Sequence, residues 1–410
     1  MPSPEIEVLN NQVAKIFRIE DFTLGNPREW VARYRGHFLN EDTIAAYDQL
    51  ADAVREYDLV PLFRDGDDDK QVIFLANTPK IPAPSARTTV NIALFILTVL
   101  SMMLTGAEVP AGLIAADGSN ALLVQFRYIL TGWPFALSMM GILFAHEMGH
   151  YLACRYYNVP ATLPFFIPAP LLSPFGTLGA FIAMRGVPKN KRILFDVGVA
   201  GPLAGLVIAV PVLIYGLSIS ELGPIAVSAA GASGVLEGNS LFYLFSKYMV
   251  FGKLLPEPVS MNGLSPLLYW LQYFFTGHPI PLGGLDVQLS QVAWAGWGGL
   301  LVTTLNLMPL GTLDGGHVAY GLFGEKARKL FPIMIGLLIA FSVLPVLVTL
   351  SLAAFNFNWL LWATILFWLG NVRAQPMDDV SALDSNRRAL GMFVLILFIL
   401  LLTPVPLMGY

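Results

Sequence analysis

Three residues with the spacing of a metal site occur in one apolar stretch of the chain: His146, Glu147 and His150. On a helix, side chains four positions apart lie on the same face, so the two imidazoles can bind a single metal ion. Glu147 stands beside them and can take a proton from a water molecule there. Ionisable groups are costly near hydrocarbon, which favours a functional site over a satisfied polar cluster between helices. The spacing therefore predicts metal-assisted hydrolysis.

A tetrahedral catalytic zinc needs a third protein ligand and keeps its fourth position for water. The best candidate is Asp314, which follows a later apolar stretch. Asn306 and Pro309 indicate an interrupted helix just before it, and the Asn306 amide could hold the scissile carbonyl or the developing oxyanion. An interhelical hydrogen bond is the alternative role for Asn306. His317 is an alternative third ligand, because imidazole binds zinc equally well.

The two motifs resemble those of the site-2 protease family of intramembrane zinc metalloproteases (peptidase family M50). The family signature is HExxH in one transmembrane helix and, in a later helix, Asn followed by Pro three residues on and Asp-Gly eight residues on. The chain carries both parts: His146, Glu147 and His150, then Asn306, Pro309, Asp314 and Gly315. The resemblance covers about residues 134 to 320, and glycine-rich runs within it look like the PDZ-less chloroplast and cyanobacterial-type branch.

The resemblance implies that one zinc ion (Zn2+) is held by His146, His150 and Asp314, with Glu147 as general base. It also implies membrane-anchored protein substrates, cut within or near their transmembrane segments in regulated intramembrane proteolysis. A helical peptide bond is shielded by its own hydrogen bonds, so a substrate must unwind locally, and a strand edge in residues 171–184 could pair with the unwound segment. A lid or plug over the site is the alternative for that stretch.

A membrane transporter of metal or solute with a His and Asp site is the alternative function from another class. Such a protein would still move metal after Glu147→Gln, whereas a protease would keep its metal and lose turnover. An inactive scaffold would be unaffected. A metalloprotease of the prenyl-protein-processing kind resembles a pattern with a distant Glu as third ligand, which the run from Asn306 to Gly315 argues against.

The composition places these motifs in a membrane protein whose partner is the lipid bilayer. Hydrophobic residues make up 55% of the 410 residues and charged residues 13%, against roughly 25% charged in soluble domains. A net charge of −4 without a basic stripe excludes nucleic acid as a partner. The single cysteine, Cys154, excludes a disulfide framework and a cysteine-rich metal site. The sequence makes no prediction of oligomeric state.

Hydropathy predicts about seven transmembrane helices, each near the ~20 residues that cross a bilayer. They lie at about 88–107, 134–157, 193–218, 288–309, 331–352, 357–372 and 389–408. Residues 160–184 are apolar but rich in proline and glycine, which predicts a re-entrant β-like segment buried against protein or a wet cavity. Short apolar pieces at 241–251 and 267–275 are expected on the membrane surface.

Three glycines in the third predicted span, Gly198, Gly201 and Gly205, leave one side of that helix nearly bare. Small residues let two helix backbones come close, so we expect a close approach to the helix that carries the two histidines. A gate for substrate entry is the alternative interpretation.

The expected fold class is an all-α polytopic membrane protein with a small N-terminal soluble α+β domain. Four parts are predicted: that domain at residues 1–85, a first transmembrane helix with its outer loop at 86–133, a catalytic membrane core at 134–320, and three C-terminal transmembrane helices at 321–410. In the first part, Asn26-Pro27 predicts the start of a helix that continues through Phe38. A second helix is expected at 41–57, with β-strands at 59–64 and 71–77.

Basic residues set the expected orientation, because cytoplasmic loops of membrane proteins are enriched in Lys and Arg. The connections at 155–192, 310–330 and 373–388 carry eleven of them, against three in the intervening connections. The N-terminal domain and the metal-ligand ends of the helices are therefore expected on the cytoplasmic side. The polar start of the chain lacks the features of a signal or transit peptide, which favours a prokaryotic plasma membrane.

Overall fold

The computed structural model describes residues 6–25, 30–66, 68–79, 88–110, 121–225, 235–369 and 375–409. Within these ranges the chain is mostly helical, with a small β-sheet domain near its N-terminus. Four helical stretches in the described ranges are long and apolar enough to cross a membrane. They are Thr88–Thr105, Ile129–Tyr156, Lys191–Ser218 and Asp314–Thr349.

The N-terminal domain is a four-stranded antiparallel sheet with two helices. The strands are β1 (Phe17–Leu24), β2 (Ala32–Phe38), β3 (Leu59–Asp65) and β4 (Gln71–Asn77), and the helices are α1 (Ile6–Ala14) and α2 (Thr43–Val54). The strand order is β1-β2-β4-β3. Apolar faces of the sheet and the helices enclose one core, in which Leu50, Phe63 and Ile73 are buried.

The prediction of a helix that continues through Phe38 is wrong. The predictions of a helix at 41–57 and of the two strands after it are confirmed. The segment in question contains strand β2, in which every second residue is buried: Ala32, Tyr34 and Gly36. A period of two fits a strand with one face on a core and does not fit a helix. Residues 26–29, which carry the supposed helix start, lie outside the described residues.

In the described ranges, one apolar helix matches each of the seven predicted spans. They are α3 (Thr88–Thr105), α5 (Trp133–Tyr156), α6 (Lys191–Ser218), α9 (Gln291–Asn306), α11 (Leu330–Thr349), α12 (Phe357–Leu369) and α13 (Ser385–Leu401), and the short helices α4 (Ala121–Arg127) and α10 (Asp314–Phe323) lie between them. Helices α9, α12 and α13 have 16, 13 and 17 residues. These three are shorter than the ~20 residues that cross a bilayer in a straight helix.

Helix α6 lies at the centre of this helical part and packs against α5, α9 and α10. Glycines allow the closest of these approaches: a Cβ atom at Gly216 would lie 2.2 Å from the backbone nitrogen of Ala293 in α9. Large buried side chains, including Phe135, Phe195 and Trp297, fill the remaining space between the helices. Close packing around α6 fixes the positions of the helices that carry the two sequence motifs.

Residues 160–184 have the β-like conformation that the prolines predict. Strands β5 (Phe165–Pro168) and β6 (Thr177–Phe181) form an antiparallel pair. Side chains of α3 satisfy polar backbone groups around this hairpin: the Asn91 amide donates to the Pro164 carbonyl at 2.7 Å, and the Ser101 hydroxyl donates to the Gly176 carbonyl. Irregular backbone of this kind needs protein partners when it lies among apolar helices.

An outer layer covers the end of the helices that is farther from the N-terminal domain. It contains β7 (Glu221–Pro224), β8 (Val235–Glu237), α7 (Leu241–Phe251), α8 (Pro266–Thr276), β9 (Leu285–Gln288) and β10 (Leu407–Gly409). Strand β7 pairs with β9, and β8 pairs with β10 near the C-terminus. The helices α7 and α8 match the two short apolar pieces of the sequence, and they pack on α6, α11 and α13.

Residues 377–379 join the N-terminal domain to the helical part. On one side, the Phe63 N–H in β3 donates to the Met377 carbonyl at 3.0 Å, and the Asp379 N–H donates to the Phe63 carbonyl at 3.1 Å. On the other side, the Met377 N–H donates to the Pro188 carbonyl at 2.9 Å, just before α6 begins. Residues 377–379 thereby extend the edge of the sheet. They and Pro188 belong to the connections at 373–388 and 155–192, two of the three that are rich in basic residues.

Candidate metal centre

The two histidines of the first motif and the aspartate of the second meet between α5 and α10. His146 and His150 lie one turn apart on α5, and both are buried. Their Nε2 atoms are 3.2 Å apart. Oδ2 of Asp314, the first residue of α10, is 3.3 Å from Nε2 of His146 and 3.2 Å from Nε2 of His150. The structure therefore brings Asp314 together with two histidines that lie more than 160 positions before it in the sequence.

These three donor atoms have the spacing that a tetrahedral zinc ion requires. Ligands at about 2.0–2.1 Å from zinc stand roughly 3.3–3.4 Å from one another at tetrahedral corners. When both Nε2 atoms are unprotonated, their lone pairs and the carboxylate oxygen repel one another at this separation unless a cation lies between them. Within the described residues, His146, His150 and Asp314 are the one group of three or more such side chains placed to share a metal ion.

A carbonyl of α6 fixes the tautomer of His150. Nδ1 of His150 lies 2.7 Å from the carbonyl oxygen of Val197. Because a carbonyl can only accept, Nδ1 carries the proton and Nε2 keeps its lone pair for the metal. No sequence signal identifies this contact, since a backbone acceptor can belong to any residue type.

The glycines of α6 lie directly against the site residues, as the small-residue pattern predicts. A Cβ atom at Gly201 would lie 2.1 Å from Nε2 of His150, so only glycine fits beside that ring. At Gly205 the nearest atoms belong to His146, at 3.3 Å, and at Gly198 the nearest atom is Cβ of His317, at 2.8 Å. The close approach of the two helices is thus a close approach to the candidate metal ligands themselves.

Glu147 lies on α5 next to His146 and is buried. The backbone of Ile182, the residue that follows β6, lies near the Glu147 carboxylate. The end of the hairpin therefore lies beside the predicted general base, in keeping with the packing of β6 on α5. The sequence did not predict this contact, because a pairing between a loop and a helix side chain has no fixed spacing.

The second motif forms the predicted interruption between two helices. Helix α9 ends at Asn306 and α10 begins at Asp314. The amide nitrogen of Asn306 is 3.3 Å from Nε2 of His146, which places the amide at the edge of the centre. A Cβ atom at Gly315 would lie 1.9 Å from the Leu307 carbonyl oxygen. The Asp-Gly sequence therefore permits the tight turn that directs Asp314 toward α5.

His317, the alternative third ligand, lies one turn after Asp314 on α10 and is buried. It packs against Gly198 of α6. Its imidazole is not part of the group of donor atoms that could share a metal ion in the described structure. The geometry favours Asp314 as the third ligand.

Comparison with known proteins found one matching family model and several similar proteins. The model of peptidase family M50 matches residues 134–350. Two similar proteins carry the name probable zinc metalloprotease EGY1, chloroplastic: one from Oryza sativa subsp. japonica, 27% identical over 341 residues, and one from Arabidopsis thaliana, 27% identical over 281 residues. A probable zinc metalloprotease EGY2, chloroplastic, from Arabidopsis thaliana is 28% identical over 278 residues.

These alignments cover 80%, 68% and 67% of the chain, and 52%, 44% and 42% of the respective relatives. The chain thus spans about half the length of the curated relatives it matches. No solved structure matches it.

Proposed function

The chain belongs to peptidase family M50, and on that basis we propose that it is a zinc metalloprotease of the site-2 type. Its proposed reaction is the hydrolysis of peptide bonds within or near the transmembrane segments of membrane-anchored proteins. The observation that carries the proposal is the tetrahedral spacing of His146, His150 and Asp314 beside the buried Glu147.

We propose that His146, His150 and Asp314 would hold one zinc ion. When bound, zinc supplies the Lewis acidity that activates water and polarises a carbonyl. Glu147 takes the proton from the attacking water and passes it to the departing amide nitrogen. The Asn306 amide N–H, at the edge of the centre, donates to the carbonyl oxygen as negative charge develops on it.

The hairpin of β5 and β6 is the proposed docking site for the unwound substrate. Strand β6 pairs with β5 on one edge, and in the described structure no strand covers its other edge. Leu178 and Phe181 of β6 expose 67% and 49% of their surface, so an apolar segment can lie against them. Ile182 then leads directly to Glu147. An extended segment paired with β6 would bring a peptide bond beside the general base.

We further propose that all seven apolar helices cross the membrane and that the β5–β6 hairpin is a re-entrant segment. With it we propose four parts: the N-terminal domain at residues 1–85, called the head, the first transmembrane helix with its outer loop at 86–133, the catalytic core at 134–320, and the C-terminal helices at 321–410. The head contacts two connections rich in Lys and Arg, which supports a cytoplasmic location for the head. The prokaryotic plasma membrane stays a prediction that fractionation of the source cells would test.

The deciding experiment compares wild type with Glu147→Gln in lipid vesicles against a panel of single-span reporter proteins, with product masses measured to locate the cut. We expect both proteins to hold one zinc ion per chain and Glu147→Gln to cleave about 10²–10⁴-fold more slowly, because the general base is lost. Glu257→Gln, which changes an exposed carboxylate in the outer layer, should cleave like wild type.

Cuts inside the hydrophobic segment by wild type alone would establish the reaction. Equal cleavage by wild type and Glu147→Gln would remove Glu147 from the mechanism. Zinc entry into vesicles that persists in Glu147→Gln, without cleavage by either protein, would favour the transporter instead.

A further inference from the structure

A cavity of about 540 Å³ lies at the end of the helices opposite to the metal centre. It is bounded by the end of α8, the end of α11, the start of α12 and strand β10. The cavity lies at the end of the 20-residue helix α11, which is about 30 Å long at 1.5 Å per residue, and no residue that lines it belongs to the candidate metal centre. The cavity is therefore independent of the proposed peptidase site.

Asn356 is the polar residue of this cavity without a partner. Only 7% of its surface is exposed, and neither Nδ2 nor Oδ1 has a hydrogen-bond partner. Its backbone N–H donates to the Ser342 carbonyl at 3.1 Å, which fixes the residue in place. A buried amide without partners is rare, because it loses its hydrogen bonds to water and gains none. A group that entered the cavity could accept from Nδ2 and donate to Oδ1.

The other described side chains that line the cavity carry no formal charge at neutral pH. No Lys, Arg, Asp or Glu is among them. His278 is neutral as well, because partial burial lowers its pKa. Asn358 and the hydroxyl of Ser351 add neutral hydrogen-bonding groups, and the first N–H groups of α12 lack intrahelical acceptors. Such a lining offers no counter-charge to a phosphate or an ammonium group.

The surroundings of the cavity are apolar and lie at the end of a helix that is long enough to cross a membrane. Leu350, Leu352 and Phe357 expose 91%, 85% and 64% of their surface there. With α11 crossing the membrane as proposed above, its end lies at the level at which lipid headgroups meet acyl chains. A ligand with a neutral polar head and apolar tails would satisfy both the polar interior and the apolar rim.

We propose that this cavity binds the uncharged, hydroxyl-rich headgroup of a membrane glycolipid and that Asn356 hydrogen-bonds to its hydroxyl groups. Hydroxyls both donate and accept, so they can satisfy the two ends of the amide at once. The acyl chains would lie against the exposed leucines at the rim.

The test uses the purified full-length chain in phosphatidylcholine vesicles, with or without a diglycosyl diacylglycerol, and in parallel with phosphatidylglycerol. We expect the glycolipid alone to raise the thermal unfolding temperature of wild type and to stay bound in native mass spectrometry. Asn356→Leu should retain the glycolipid about tenfold less, the factor that corresponds to 1.4 kcal/mol of lost hydrogen bonding. Its unfolding temperature without glycolipid should not fall, because an unpartnered amide is removed.

Asn239→Leu is the matched control, since both amide atoms of Asn239 are also buried and unpartnered but the residue does not line the cavity. It should retain the glycolipid like wild type.

Asn356→Asp keeps the shape and removes the amide donor, so it provides a second weakened variant. Retention of the glycolipid at wild-type level by both Asn356 variants would overturn the proposal, as would equal or stronger retention of phosphatidylglycerol by wild type. Zinc content and reporter cleavage should be unchanged in Asn356→Leu, which separates this inference from the proposed peptidase activity.

Discussion

At the scale of single residues, the candidate centre is defined by how side chains are oriented from outside it. Val197 sets the tautomer of His150, and the backbone of Ile182 lies near the carboxylate of Glu147. Gly315 allows the turn that directs Asp314 inward. Supporting contacts of this kind restrict the ligands to one arrangement, which lowers the conformational cost of binding a metal ion.

Asp314 and His317 can be distinguished as third ligands by one pair of variants. Asp314→Asn replaces a charged oxygen donor with a neutral amide, so we expect zinc affinity to fall by more than about tenfold. His317→Gln should retain one zinc ion per chain, because its imidazole lies outside the donor group. Zinc per chain, measured by mass spectrometry of the metal after dialysis against a chelator, checks both. The reverse outcome would make His317 the third ligand.

A second group of residues, in the outer layer, gives the protein a predictable dependence on pH. Lys247 is fully buried, with its Nζ 3.8 Å from Oε1 of Glu237 and 3.5 Å from Oδ1 of Asp286. One ammonium group cannot neutralise two buried carboxylates. Burial, and then the charge of Asp286, raise the pKa of Glu237 to about 7 from its ordinary value of 4.5.

The folded protein therefore binds a proton at Glu237 that the unfolded chain has already released between about pH 4.5 and 7. Stability should fall as the pH rises through this window, by on the order of 1–3 kcal/mol. Glu237→Gln should be more stable than wild type at pH above 7 and should lack this part of the slope. Unfolding measured across the window in one lipid mixture checks the prediction, with Glu257→Gln as the exposed control. Equal slopes in wild type and Glu237→Gln would contradict it.

At the scale of elements, α6 serves the centre through its glycines more than through any polar side chain. Gly201→Ala would place a methyl group 2.1 Å from Nε2 of His150, whereas Gly205→Ala would meet His146 at 3.3 Å. Alanine favours helix more than glycine does, so neither change should unfold α6. We expect Gly201→Ala to bind zinc at least about tenfold more weakly and to lose cleavage, because the His150 ring must move.

Gly205→Ala should remain close to wild type, because neighbouring atoms can yield by a few tenths of an ångström. Zinc titration and circular dichroism of both variants separate a local effect from unfolding. Equal zinc affinity in the two variants would show that contact with the His150 ring does not control the site.

At the scale of the whole molecule, the sequence predicts structural elements that follow a local residue pattern, and it misses contacts between segments that are far apart in the chain. Runs of apolar residues located the seven apolar helices of the described ranges that match the predicted spans, and the spacing of His146 and His150 located two of the three residues of the candidate centre. The alternation of buried and less buried residues in β2 was not recognised beside an apparent helix start, because a strand of 7 residues repeats that alternation only a few times. The contact of Ile182 with Glu147 and the docking of residues 377–379 join distant segments, so no local pattern encodes them.

That docking supports a prediction about how the N-terminal domain is held. Met377→Pro removes the N–H that donates to the Pro188 carbonyl and restricts the backbone that pairs with Phe63. We expect amide hydrogen exchange in β3 to become about 5–30-fold faster, as a loss of one or two kcal/mol of local stability would produce, with zinc content unchanged. Lys189→Ala removes the ion pair with Asp48, whose side chains are 45% and 47% exposed, and should have little effect. Faster exchange in Lys189→Ala than in Met377→Pro would mean that surface charge, and not strand pairing, fixes the domain on the helical part.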